Sequence, residues 1–567
     1  MSSPPESLRI EIRGRLHNLA DLKACLGPLD TNEVAADPVG AVLSAGWRRW
    51  GEALAEHLVG DYALALRDER RSLTYLVRNP VGAKPLFYRV DDGRLSHGFS
   101  LPELRERCPL PVTPDMDWAA AYLLRLSFSP TETGYREIHK LAPGHWLRCD
   151  ASGQVTIRRY HHWRDDAPDA RRRDPRWVEA YREVFEEAIR CRMEAHAPMA
   201  TENSGGIDSG SVTAYLAHFL GDPGDRLLSV GAALETLEPA YILETSQSLG
   251  IRHNYLLTDH HGPRDESARA AAAFAALGYP EEIGMAGANI PFYEECRLRG
   301  IGVLFSGFGG DETVSNHGNH LRWELLDRRR YPALWDVLPG NPLARSLRLL
   351  KLLTVGRGRR GRNSTLQGAK SKLWETQILR TEVVERLKLY ERLMEAAIYD
   401  APYRRVNDLV LHYHLQRMEI ASRLEDCTAL AAAYGVDYRW PLLDARLIQQ
   451  YLSTPSIEKL GPGGLGRYLH RRAISGVVPG RVAWKPSKDM GYAERARRMC
   501  GAPIARTASE ARALAASLHP ELAEMIDPAR LDSLIARAEQ GDVDVGFAVM
   551  FQREVRLLRN LDTWLRA

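Results

Sequence analysis

Two short stretches of this chain hold the residue types that chemistry on phosphates needs. NSGGIDSGS (203–211) follows an apolar segment and opens a helix. Gly205 and Gly206 let the backbone turn tightly and approach a ligand closely. The amides from Ser204 to Ser209 then face the positive end of the following helix, which makes an anion cradle. No GxxxxGK[ST] occurs, so the phosphate loop of kinases is not written here. The loop carries an acid instead, Asp208, a group able to hold Mg2+ against phosphate oxygens. SGFGGDE (306–312) follows the apolar run IGVLF (301–305), at the C-terminal end of another strand. That edge is where open α/β sheets bind ligands. Asp311 would face the same crevice as Asp208, giving two carboxylates for one magnesium ion on a triphosphate.

The elements that must position these loops change character along the chain. Up to about residue 160 the pattern is of strands with few helices: Leu8, Ile10 and Ile12 alternate with charged neighbours. YALALRD (62–68) and SLTYLVR (72–78) read as strands, and 145–160 as a hairpin turning at Asp150–Gly153. A charged, proline-bearing linker spans 165–177. Beyond it, helices near 177–189, 210–220 and 241–249 alternate with strands at 226–231, 254–257 and 301–305. Such alternation implies a parallel, doubly wound sheet. From about Asp400 the chain reads as mostly helical, with a helical apolar spacing over 406–424. The segment 356–372 carries six basic residues and no acid, so it reads as an exposed loop or a grip on an acidic peptide.

Composition bounds the rest. At about 150 residues per domain, 567 residues make roughly two to four domains. A net charge of +3 gives no global argument for nucleic-acid binding. The seven cysteines are odd in number, scattered and without a CxxC pair, which argues against a disulfide framework or zinc ribbon. No signal-peptide core and no run of about 18 apolar residues occurs, so the expectation is a cytoplasmic protein with no membrane partner.

SGGIDS (204–209) resembles the pyrophosphate loop of ATP pyrophosphatases that form acyl-adenylates, and SGFGGDE (306–312) resembles the second signature of the asparagine synthetase family. VGDYALALRD (59–68), LVRNPVGAKPLFY (76–88) and KLAPGHWL (140–147) look like that family's glutaminase-type domain. The resemblance implies an α/β fold: a β-rich, Ntn-type sandwich over 1–165, then a doubly wound, parallel-sheet ATP-pyrophosphatase domain with added helices over 175–567. It implies an ATP site built from Ser204, Gly205, Gly206, Asp208, Ser209, Val230, Gly231, Gly307 and Gly309, with Mg2+ on Asp208 and Asp311.

The departures from that family are as informative. Its glutaminase uses an N-terminal cysteine; here Ser2 follows Met1, and the first cysteine, Cys25, lies within a helix-like stretch. The glutamine-pocket segment is present only as RGRLHN (13–18), so glutamine hydrolysis is expected to be absent. β-Lactam synthetases and lasso-peptide cyclases share that loss, and both close an amide within one molecule. Phe308 stands where the β-lactam enzymes carry a tyrosine that assists deprotonation, which favours the lasso cyclases. YGVDYRWPLLD (434–444) and VPGRVAWKPSKDMGY (478–492) also resemble family segments, the second of which supplies a lysine to the adenylate. Lys488 is the expected catalytic cation, with Lys485 the fallback. The family places an acid on the helix around 416–427; Arg423 stands at its counted place, so Glu419, one turn earlier, is the candidate base, with Glu425 and Asp426 as alternatives. His317 and His320 could also take a proton.

The resulting expectation is an ATP-dependent macrolactam synthetase acting on a precursor peptide, with a leader peptidase and a leader-binding protein as possible partners. An ammonia-dependent asparagine synthetase or β-lactam-synthetase-like ligase, and a catalytically silent peptide-binding protein, are the alternatives.

Overall fold

The structure, a computed structural model, describes residues 8–29, 36–127, 129–233, 235–258, 266–354, 374–395, 403–416, 419–485, 491–541 and 543–567. Ser2, the basic segment 356–372 and Lys488 lie outside the described residues.

The N-terminal part stacks two antiparallel sheets. Strands β1 (Leu8–Leu16), β2 (Gly60–Asp68), β3 (Leu73–Arg78), β7 (His145–Cys149) and β8 (Val155–Arg159) pair in the order β1-β2-β3-β7-β8. Strands β4 (Phe87–Asp91), β5 (Arg94–Gly98) and β6 (His139–Lys140) form a second sheet in the order β5-β4-β6. β2 is buried on both faces, which is why it reads as a nearly unbroken apolar run. Ala63 and Ala65 point into the core shared with Leu86 and Tyr88, while Tyr62, Leu64 and Leu66 pack on Leu43 and Trp47 of helix Pro38–Trp50. That helix starts at Asp37, whose carboxylate accepts the amides of Val39 and Gly40. The expected 150–153 turn is held by Asp150 Oδ1, which accepts the amides of Ser152 and Gln154.

The second part is built on a parallel sheet. β9 (Met199–Glu202), β10 (Leu227–Ala232), β11 (His253–Leu257), β12 (Val303–Phe305) and β13 (Asp437–Arg439) run in the order β11-β10-β9-β12-β13, every ladder parallel. Chain order proceeds outward from β9 in both directions, so the topological switch lies between β9 and β12. Helix Pro175–Arg190 begins two residues before its expected start, with Asp174 capping the amide of Arg176 and proline in the first turn. One reading changes and another is refined. β13 lies in a region that reads as helical, because three residues are too few to show a strand period. The helical spacing over 406–424 resolves into Val406–Leu409, a π-helical turn Val410–His414, and a separate helix Glu419–Ala433.

The two parts share interior contacts. Trp118 and Tyr135 meet Trp564 of the last helix, Val545–Arg566, edge to face at 5.8 and 5.5 Å. Deeper in, Glu425 accepts Arg78 Nη2 at 2.5 Å and Lys140 Nζ at 3.2 Å, all three side chains buried. Among the described residues no helix is long and apolar enough to cross a membrane.

Candidate functional site

β9 delivers the chain into the first loop, and Gly205, at φ +65°, makes the turn that an L side chain resists. Helix Ile207–Leu220 follows, with Gly206 as N-cap, which has no side chain to cap the first amides. Around it the loop is tied down: Asn203 Oδ1 accepts the Gly205 amide at 3.1 Å, and Ser209 Oγ accepts the Ser204 amide at 3.1 Å. The open helix end is thus a fixed set of N–H donors with the dipole aimed at an anion.

The second loop leaves β12 and packs backbone to backbone on the first. A Cβ at Gly307 would lie 2.4 Å from the Ser209 amide nitrogen, and one at Gly310 2.5 Å from Asp208 Oδ1. That contact brings the two acids to one cation. Arg467 Nη1 donates to Asp208 Oδ2 at 2.5 Å, and its Nη2 pairs with Asp311 Oδ1. Ser315 Oγ donates to Asp208 Oδ1. Burial alone would raise the Asp208 carboxyl, but the Arg467 guanidinium and the Ser315 hydroxyl hold it below the ordinary carboxylate value. His470 lies fully buried against this cluster; burial pushes its imidazole down to about 4, so it is neutral at physiological pH.

These loops, the end of β10 and the segment 464–467 enclose a cavity of about 540 Å³. Ser204, Gly206, Asp208, Ser209, Val230, Gly231, Gly307, Gly309 and Asp311 all line it; Gly205 shapes the turn without lining the space. Lys485 lines it too, its ammonium 4.0 Å from the Tyr241 ring centroid.

The proposed base lies elsewhere. Glu419 is half-buried at the start of its helix and pairs with Arg125 at 3.2 Å, away from the cavity lining. Glu425 faces Arg78 and Lys140, and Asp426 accepts the Tyr279 hydroxyl and the Glu282 amide. His317 lines the cavity, 3.3 Å from Arg467 Nη2, whereas His320 does not. Three cavity residues escape sequence reasoning. Glu202 ends β9 and accepts Ser306 Oγ at 2.5 Å, Asn289 Nδ2 at 3.2 Å and the Tyr438 hydroxyl. Arg467 sits at φ +60° ahead of helix Tyr468–Ile474, and Arg423 lies 3.8 Å from the Phe308 ring centroid. Only Arg423 left a sequence signal, as a base at the counted place of an acid.

Where RGRLHN (13–18) folds, ion pairs fill the space. Arg192 donates to Asp61 and Asp444, each at 2.7 Å, with His17 within 4.0 Å of both acids. The cavity left among Gly14, His17, Asp61 and Arg192 is about 10 Å³, room for about one water.

A glutamine amidotransferase domain profile matches residues 1–161, and an asparagine synthase profile matches residues 180–566. The chain is 24% identical over 323 residues to amidase chry2 of Gibberella zeae, covering 54% of this chain and 47% of that protein. It is 25% identical over 312 residues to amidase chyE of Penicillium rubens, covering 52% and 45%. A putative glutamine-hydrolysing asparagine synthetase of Mycobacterium bovis is 24% identical over 509 residues, 85% of this chain and 74% of that one. The matched stretch thus spans about half the length of the first two relatives. With both aspartate loops inside the match over residues 180–566, the chain belongs to the asparagine synthase family.

Proposed function

We propose that this protein is an ATP-dependent carbon–nitrogen ligase that activates a carboxylic acid as its adenylate and closes an amide, releasing AMP and pyrophosphate. The carrying observation is the pair Asp208 and Asp311, delivered from two strand ends to one cation. A carboxylate is a poor acyl donor. Its oxygen attacks the α-phosphorus of ATP, the bond to the bridging oxygen breaks, and pyrophosphate leaves. The amine then attacks the acyl carbon, and AMP departs. The open amides at the start of helix Ile207–Leu220 hold the phosphates, and Lys485 faces the negative charge that develops. Family membership implies Mg2+, and the site fits it: Arg467 already stands between two carboxylates, and an all-oxygen donor set suits that ion. Bound there by Asp208 and Asp311, Mg2+ would neutralise phosphate charge.

The finer reading is a peptide macrolactam synthetase, joining an Asp or Glu side chain to the peptide's own N-terminal amine. The peptide would be a precursor freed by a leader peptidase partner. The ion-paired filling around His17 and Arg192 supports an amine other than glutamine-derived ammonia, and Phe308, which offers no proton acceptor, speaks against the β-lactam-synthetase alternative. Holding amine and acyl carbon together can supply about 7–11 kcal/mol of the barrier. The test is incubation with ATP, Mg2+ and peptides carrying a free N-terminal amine and one side-chain acid. Loss of one water by mass, with AMP formed, is the expected result. Product formed only from aspartate and ammonia would replace it with the asparagine-synthetase reading, and binding without any AMP would leave a peptide-binding protein.

A further inference from the structure

Four lysine and arginine side chains line the nucleotide cavity, and three of them are engaged within the protein. Arg467 lies across Asp208 and Asp311. Arg471 donates to the carbonyls of Gly466, Ala483 and Lys485. Lys485 rests on the Tyr241 ring and makes a further contact besides. Arg423 differs from all three. Its guanidinium carbon lies 3.8 Å from the Phe308 ring centroid, its Nε is buried without a hydrogen-bond acceptor, and among the described residues no carboxylate pairs with it. Four acids line the cavity: Glu202 is held by Ser306, Asn289 and Tyr438, Asp208 and Asp311 by Arg467, and Glu312 is engaged in a contact of its own.

A guanidinium keeps its charge at any pH a protein survives, so it cannot shed the cost of this position by losing a proton. The Phe308 face offsets part of that cost, and an anion brought from outside would offset more of it. The location says which part of the substrate that is. Phe308 directly follows Gly307, whose backbone lies against Ser209, so the ring carrying Arg423 borders the phosphate cradle. Trp440 packs on that ring at 5.9 Å and fixes its plane.

We infer that Arg423 is the anchor for a substrate carboxylate, gripping it through two parallel N–H donors beside the apolar wall of Phe308. This rests on the adenylating reading of the cavity and names the substrate class: a free carboxylic acid presented next to the α-phosphate. Arg423 is a binding group and takes no proton from the amine.

The probe is N-acetyl-L-glutamate α-amide, whose only charge is the side-chain carboxylate, compared with the neutral N-acetyl-L-glutamine α-amide. Calorimetry with Mg2+ and α,β-methylene-ATP present reads binding without turnover. The wild type is expected to prefer the acid by about ten-fold or more. Arg423→Met should lose that preference and Arg423→Lys keep part of it, with affinity for the ATP analogue unchanged in both, which also reports that they fold. No acid preference in the wild type, or a preference intact in Arg423→Met, overturns the proposal. Failure of the ligase reading is distinguishable: there, nucleotide turnover to AMP is missing while the acid preference still follows residue 423.

Discussion

Asp208 and Asp311 both line the cavity and share Arg467 as a counter-charge. Asp208→Asn and Asp311→Asn should each lower ATP–pyrophosphate exchange by about 100-fold or more, while the protein stays folded by circular dichroism. Lys485→Ala should cost a comparable factor in amide formation with a smaller effect on ATP binding, measured as separate kcat and KM changes. Glu419→Gln is expected to stay within about two-fold of the wild type in both assays, because that carboxylate is spent on Arg125 at the surface, where such pairs contribute about 1 kcal/mol or less. A large loss in Glu419→Gln would restore it as the base.

At the scale of elements, activity depends on two loops meeting without side chains between them. Gly307→Ala puts a methyl 2.4 Å from the Ser209 amide nitrogen, a backbone neighbour that cannot swing away. The expected cost is about 1–3 kcal/mol in denaturant unfolding, with exchange activity falling further than stability alone explains. These loops were legible in the sequence because their signal is local: glycine, hydroxyl and acid in a row, each after an apolar run that becomes a strand. Val230 and Gly231, near the end of β10, were reached through the family resemblance instead. Glu202, Arg423 and Arg467 were not, since topology rather than spacing brings residues some 220 to 265 positions apart to one cavity. Helical spacing put Glu419, Glu425 and Asp426 on one short helix. It could not say that the first faces Arg125 and the others the N-terminal part. β13, at three residues, had no period to read.

At the scale of the whole molecule, buried charge joins the two parts. Glu425→Gln would leave Arg78 and Lys140 short of a counter-charge, and breaking such a buried pair costs about 3–5 kcal/mol, seen as a lowered midpoint in urea. A second buried acid works against the fold as pH rises. Burial pushes the Glu554 carboxyl from 4.5 up to about 7, with Arg553 pulling the other way. Between those values the folded state binds more protons than the unfolded, so stability falls as pH climbs through the window. Glu554→Gln should therefore be more stable to unfolding than the wild type at pH 8, by about 3 kcal/mol, and match it below about pH 4. A pH-independent difference would mean that this group does not titrate there.

The most direct measurement is ATP–pyrophosphate exchange with labelled pyrophosphate, run with a carboxylic acid substrate and with product nucleotides separated. Activation through a mixed anhydride predicts exchange that needs the acid and Mg2+, AMP as the nucleotide product, and loss of both in Asp208→Asn and Asp311→Asn. Formation of ADP and phosphate, or exchange that survives both substitutions, would contradict it.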